Sequence, residues 1–140
     1  MTNYKFQTNH NDQNAKFQTG FDHYSKPIYD LEERTFQFAK VVRLFVKTLP
    51  KTIASIEDGK QLIRASGSVG ANYIEANESL GKKDFLMRIR ISRKEAKERA
   101  YWLRLINETN SLNNADDAPR LIKETNELKM ILSSILAKSK

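Results

Sequence analysis

The chain has 140 residues, 24 Lys and Arg against 17 Asp and Glu, a formal charge of +7, one Trp and no Cys. That length suits one compact domain, and the absence of Cys excludes disulfide frameworks, zinc ribbons and thiol nucleophiles. Mean hydropathy is −0.63, no run approaches the ~18 apolar residues of a membrane span, and the polar opening MTNYKFQTNHNDQNAKFQTG lacks the apolar stretch of a secretory signal, so no membrane is expected and the expected location is the cytoplasm.

Residues 1–27 are rich in Asn, Gln, Thr and Asp and carry a short repeat, Lys5-Phe6-Gln7-Thr8 and Lys16-Phe17-Gln18-Thr19. Such a tract buries too little apolar surface to offset an ordering cost of roughly 1–2 kcal/mol per residue. A disordered tail is expected here, with a docking arm that orders Phe6 and Phe17 on a partner as the alternative.

Helical periodicity begins at Asp30, which with Glu33 has the spacing of a capping box. Leu31, Thr35, Phe38, Val42, Phe45 and Leu49 then recur at steps of four and three until Pro50. A second helix is predicted from Ser55, with Asp58 as its capping partner. Its seam is Leu62, Ser66, Val69, Tyr73, Ala76 and Leu80, and Gly81 is placed as its terminator. Gly67 and Gly70, with Ala65, Ser66, Ser68 and Ala71, form a small-residue surface for close approach of another helix. The segment matches neither GxGxxG nor GxxxxGK[ST] and follows no strand, so it is not a phosphate loop.

The third helix is predicted from about Lys82 to Asn107 with the seam Phe85, Ile89, Ser92, Ala96, Arg99, Leu103 and Ile106. Asp84–Arg88 and Glu95–Arg99 have the spacing of helical ion pairs. After a polar connection at 110–118, Asp116 or Asp117 caps a fourth helix with Pro119 in its first turn. Its seam is Leu121, Thr125, Leu128, Leu132 and Ile135. Together these predict an all-α antiparallel up-down four-helix bundle over residues 28–140, behind a disordered polar N-terminal tail. Phe36, Val41, Leu44, Trp102, Leu105, Ile122 and Leu136 fall off the seams. Either the helices bury a second face in a homo-oligomer or the core stripe is wide.

Catalytic arrangements are poorly supplied. The only imidazoles, His10 and His23, lie in the tail, so no helix carries a Glu-x-x-His pair and no Ser-His-Asp set assembles. Glu75 with Glu78, and Glu95 with Glu98, sit among Lys and Arg and read as surface ion pairs. No catalytic residue, metal ligand or cofactor is assigned.

Charge is the one feature with a mechanism. Residues 82–106 hold nine basic and three acidic side chains, which is nearly the whole excess of the chain. Lys83, Arg90, Lys94, Lys97 and Arg104 trace an outward stripe with Tyr101 interleaved; Arg88, Lys82 and Arg93 widen it. Dense cations attract phosphates, Arg forks onto their oxygens and Tyr can stack on an unpaired base. The predicted function is therefore non-enzymatic binding of RNA or DNA backbone by Lys83, Arg88, Arg90, Lys94, Lys97, Tyr101 and Arg104. The alternatives are a solvated helix face and an adaptor whose basic face docks an acidic protein.

Ser68-Val69-Gly70-Ala71-Asn72-Tyr73, followed by Glu75-Ala76, then Asp84-Phe85, Lys94-Glu95-Ala96 and Tyr101-Trp102-Leu103, give residues 28–138 a resemblance to a bacterial family. It resembles the four-helix-bundle proteins encoded in intervening sequences of large-subunit ribosomal RNA genes, sometimes labelled ribosomal proteins. The accessory variability determinant of diversity-generating retroelements is a relative. The resemblance implies a small cytoplasmic bundle assembling as a homopentamer. By way of that relative it also implies nucleic acid and a reverse transcriptase as partners. It brings no catalytic residues, and it leaves Asn72 and Glu75 as polar packing contacts or part of a site.

Overall fold

Asp30 opens the first helix, α1 (Leu31–Val46), by accepting the Glu33 backbone N–H at 3.2 Å in the computed structural model, which describes residues 30–139. The expected tail lies outside the described residues. Only half of the predicted capping box forms: the Glu33 carboxylate accepts from Gln37 Nε2 instead of reaching back. Beyond Val46 the chain tightens, with Thr48 and Leu49 N–H bonding to Phe45 and Val46 carbonyls ahead of Pro50.

The second helix, α2 (Ile53–Asn77), starts before the predicted Ser55, because Thr52 is the cap and its hydroxyl accepts the Ser55 N–H at 3.1 Å. Ser55 is buried, and its hydroxyl donates to Asn110 Oδ1 at 3.2 Å, pinning the start of α2 to the end of the next helix. That helix, α3 (Lys82–Thr109), takes Gly81 as its N-cap, so Gly81 opens α3 and does not close α2, which ends at Asn77. The last helix is α4 (Asp117–Lys138), preceded by Asp116, whose carboxylate makes no capping bond.

The links 47–52, 78–81 and 110–116 are too short for anything but antiparallel neighbours. Each helix packs on the next, and α4 returns to α1 by a thinner contact. The structure is the predicted antiparallel four-helix bundle, with no strand among the described residues.

Phe38, Val42 and Phe45 meet Leu62, Val69, Ile89, Leu103, Ile106, Leu121, Leu128 and Leu132 in one core; each fully buried side chain of this size contributes about 1.5–3 kcal/mol. Val41 and Leu136, which fall off the predicted seams, are buried too, and Leu44, Trp102 and Ile122 pack on the core edge. The core stripe is wider than one seam per helix. Phe36 is different: 60% exposed.

Candidate nucleic-acid interface

The inward face of α3 consists of Ile89, Ser92, Ala96, Arg99, Leu103 and Ile106, all buried and all on the predicted seam. Ser92 donates to the Val69 carbonyl at 2.8 Å, so α2 and α3 approach closely along their small residues. With that face fixed, the helical repeat sends Lys83, Arg90, Lys94, Lys97, Tyr101 and Arg104 to the opposite side, where all six are exposed. From Lys83 to Tyr101 the ridge runs ~27 Å at 1.5 Å per residue. Among the described residues, Lys83, Arg90, Lys94 and Lys97 enter none of the four ion pairs.

Two of the seven predicted residues are engaged within the fold. Arg88 is half-buried and donates to Asn72 Oδ1 at 3.2 Å, across to α2, so the expected Asp84–Arg88 pair does not form. Arg104 stays on the ridge, but its Nε donates to Glu108 at 2.7 Å, which offsets its charge. Arg93 leans toward α4, with Ser133 at 3.4 Å. Tyr101 is 59% exposed, and its ring stands edge-on to Trp102, centroids 5.2 Å apart.

Arg99 carries the ninth basic charge of the segment and is wholly buried. It is not paired with Glu95 as the spacing suggested. Nη1 donates to the Ala65 carbonyl at 2.8 Å and the guanidinium lies 4.6 Å from the Phe38 ring centroid. Nε and Nη2 have no partner among the described residues. Burial pushes the Arg99 guanidinium down to about 9, against the opposing pull of Glu95, Glu124 and Glu98. A second, half-buried cation is better served: Arg34 holds Glu124 through Nε and Nη2, both at 2.8 Å, and Glu127 at 2.8 Å. Burial raises the Glu124 carboxyl, and the Arg34 hydrogen bonds oppose that rise. Arg34 itself is pushed up by the same bonds.

Among the described residues no group of three or more His, Cys, Asp or Glu is placed to hold a metal; His10 and His23 lie outside them. Glu75, Glu78, Glu95 and Glu98 form no ion pairs there, contrary to the surface pairing expected of them. No helix among the described residues is long and apolar enough to cross a membrane.

One surface was not read from the sequence: an outer groove between α1 and α2, about 720 Å³, with Phe36, Leu44, Gly67, Ala71 and Ile74 among its lining. Its signal was there in Phe36, off the seam, and in the small residues. Of the small residues, only some meet α1 closely. A Cβ at Gly70 would stand 2.9 Å from Thr35 Oγ1, and one at Gly59 would stand 3.2 Å from Val46, so these two glycines seat α1.

The family model described as 23S rRNA-intervening sequence protein matches residues 29–134. The chain belongs to this family. The resemblance read from its motifs is thereby confirmed, over nearly the same span. A crystal structure of a protein of unknown function from the S23 ribosomal protein family of Bacteroides thetaiotaomicron is similar, with a TM-score of 0.66 and 28% sequence identity, covering 75% of this chain and 96% of that one. No curated protein matches. In this member of the intervening-sequence family the motif residues have structural work. Val69 and Ala76 are core, Gly70 clears Thr35, and Asn72 donates to the Ser68 carbonyl at 2.9 Å while accepting from Arg88. Asn72 is thus a packing contact, and Glu75 is exposed.

Proposed function

We propose that this intervening-sequence family protein is a non-enzymatic, cytoplasmic homo-oligomer, the pentamer its resemblance implies. In this reading it binds the RNA or DNA backbone along the outer ridge of α3. The observation that carries the proposal is the row Lys83, Arg90, Lys94 and Lys97, exposed on one helix face without ion pairs among the described residues. A merely solvated face would ordinarily mix signs, and on this ridge the acid Glu108 is taken up by Arg104. Tyr101 supplies a ring for an unpaired base, while Arg88 and Arg104 flank the row with part of their donors already used.

Four backbone contacts give a log–log salt slope of about −3.6 on duplex and about −2.8 on a single strand. The test is a salt titration against a generic RNA and a generic duplex, comparing wild type with Arg90→Glu, Lys94→Glu, Lys97→Glu, with assembly mass followed alongside. Wild type is expected to bind with these slopes, and the triple variant to lose on the order of 10³-fold in affinity at low salt while keeping its mass. Salt-insensitive or absent binding by wild type rejects the nucleic-acid reading and leaves an acidic protein as the partner of the ridge.

A further inference from the structure

The outer row of α3 holds more than charge. At alternating steps of four and three it runs Lys83, Met87, Arg90, Lys94, Lys97 and Tyr101, and all six are exposed. Met87 is 46% and Tyr101 59% exposed, and they are the two large apolar side chains that α3 leaves open to solvent. Both fall in the line of cations, nearly four turns and about 21 Å apart, with Arg90, Lys94 and Lys97 between them. The ring of Tyr101 meets Trp102 at 83°, an edge contact that braces it. Asp84 and Glu98, also exposed, stand one residue off the row, so the cations form a single line with carboxylates at its side.

A ligand that is anionic throughout leaves Met87 and Tyr101 without a partner. A duplex offers base edges in its grooves but no base faces, and its two strands present two lines of phosphate. A single strand offers one line of phosphate together with bases free to turn a face outward, onto which an aromatic ring stacks whatever the sequence. At a stacked rise of about 3.4 Å per nucleotide, the interval between Met87 and Tyr101 holds about six steps, and fewer when the strand is extended. Charge alone favours the duplex, which carries the denser charge. A preference for the single strand therefore reports on the apolar pair.

We infer, resting on the proposed role of this row in nucleic-acid binding, that the ligand is a single strand of RNA or DNA. The strand runs along α3 with phosphates on Arg90, Lys94 and Lys97, one base stacked on Tyr101 and another against Met87.

Fluorescence anisotropy tests this with a labelled RNA of about 16 nucleotides, free of self-complementarity, and the same RNA paired with its complement. Wild type is expected to bind the single strand at least tenfold more tightly than the duplex. Tyr101→Ala is expected to lose on the order of tenfold on the single strand and nothing on the duplex. Tyr101→Phe, which keeps the ring, is expected to match wild type, and Met87→Ser to lose about fivefold on the single strand. Neither Tyr101→Ala nor Met87→Ser should change the slope of affinity against salt, whereas Lys94→Ala lowers its magnitude by about 0.7. These positions are exposed, so the fold and the assembly mass stay as in wild type. Equal or tighter binding of the duplex, lost in the Arg90→Glu, Lys94→Glu, Lys97→Glu variant, overturns the single-strand ligand and leaves the ridge as a nucleic-acid surface. A single-strand preference that survives Tyr101→Ala combined with Met87→Ser also overturns it, because the bases are then held elsewhere. Failure of wild type to bind either RNA at low salt overturns both readings of the ridge.

Discussion

Helices α1 and α3 share a four-three apolar seam, yet the fold holds them by different means. The seam of α3 is sandwiched between α2 and α4 through Ile89, Ala96, Leu103 and Ile106, with Ser92 bonded to the Val69 carbonyl. No ion pair is needed to place it, so its outer face is free to carry unneutralised cations. The 16-residue α1 meets α4 over a thin contact, and its position rests on two glycine clearances and the Arg34 clasp. Its outer face leaves an apolar groove. A helix packed broadly on both flanks can turn a charged face to solvent, whereas a helix packed broadly on one flank and held on the other by an ion pair leaves apolar surface such as Phe36 exposed.

The largest effect on stability is expected where α1 depends on charge. Arg34→Met leaves Glu124, 5% exposed, without the guanidinium that serves both of its oxygens. Breaking a buried pair from one side costs about 3–5 kcal/mol. Urea unfolding should show that loss, and Arg34→Met with Glu124→Leu should recover most of it. Nucleic-acid affinity of the folded variant should match wild type, since the ridge belongs to α3. A loss under ~1 kcal/mol, the range of an exposed pair, means the clasp does not hold α1.

Arg99→Met is the counterpart on α3 and should act in the opposite direction. Arg99 is buried with two nitrogens lacking partners among the described residues, and the Ala65 carbonyl it contacts lies within α2, whose own ladder supplies a donor. Replacing a poorly served buried charge with an apolar side chain of similar length is neutral or stabilising by about 1–4 kcal/mol, less the stacking on Phe38, worth up to about 2 kcal/mol. A thermal melt is expected to show a net gain near 1–2 kcal/mol. A drop instead would make Arg99 a structural counter-charge for Glu95 and Glu124.

A finer contrast lies within α2. Alanine favours a helix over glycine by about 1 kcal/mol. At Gly67 the nearest atom to an added Cβ is Arg43 Nη2 at 3.6 Å, so Gly67→Ala should gain up to about 1 kcal/mol. At Gly70 the same methyl meets Thr35 Oγ1 at 2.9 Å, a hydroxyl already donating to the Glu32 carbonyl, so α1 must shift. Gly70→Ala is expected to cost about 1 kcal/mol net despite its helical propensity. Equal signs for the two variants would remove the idea that Gly70 seats α1.

These contrasts also mark what was legible in the sequence. All six buried residues of α3, including the charged Arg99, were readable from periodicity, because an amphipathic seam is a local property. So was the outward ridge, which follows once the inner face is known. The destination of Arg99, at a carbonyl and a ring on two other helices, was not readable, and Glu95 four residues away was the misleading local partner. The clasp joins residues 90 positions apart, Arg34 and Glu124, and leaves no periodic trace. Ser55 misled for a related reason: it looked like a cap while its hydroxyl is spent on Asn110 in α3. The small-residue surface of α2 was visible, but Gly70 meets Thr35 closely while Gly67 leaves 3.6 Å to Arg43, and which face of α2 turns toward α1 is set by the packing of the two helices.

The smallest expected effect separates the two regions by pH. Asp117, in the first turn of α4, has a buried Oδ1 without a partner among the described residues, and burial pushes its carboxyl up from 3.8 to about 6, helped by Asp116 and opposed by Arg120. Because the folded value lies above the unfolded one, the protonated form stabilises the fold. That contribution is present below about pH 4 and is lost as pH rises through about 6. Asp117→Asn should therefore match wild type near pH 4 and exceed it slightly above pH 7. The margin stays within about 1 kcal/mol, because the helix N-terminus favours the anion by about 0.3–1 kcal/mol. Glu124 in the α1 clasp and Glu95 on α3 are also raised by burial. If Asp117→Asn removes the decline in melting temperature between pH 4 and 7, the titrating site is the start of α4; if the decline persists, it belongs to one of those two glutamates. Repeating the scan in Glu124→Gln then decides whether it lies in the clasp that holds α1.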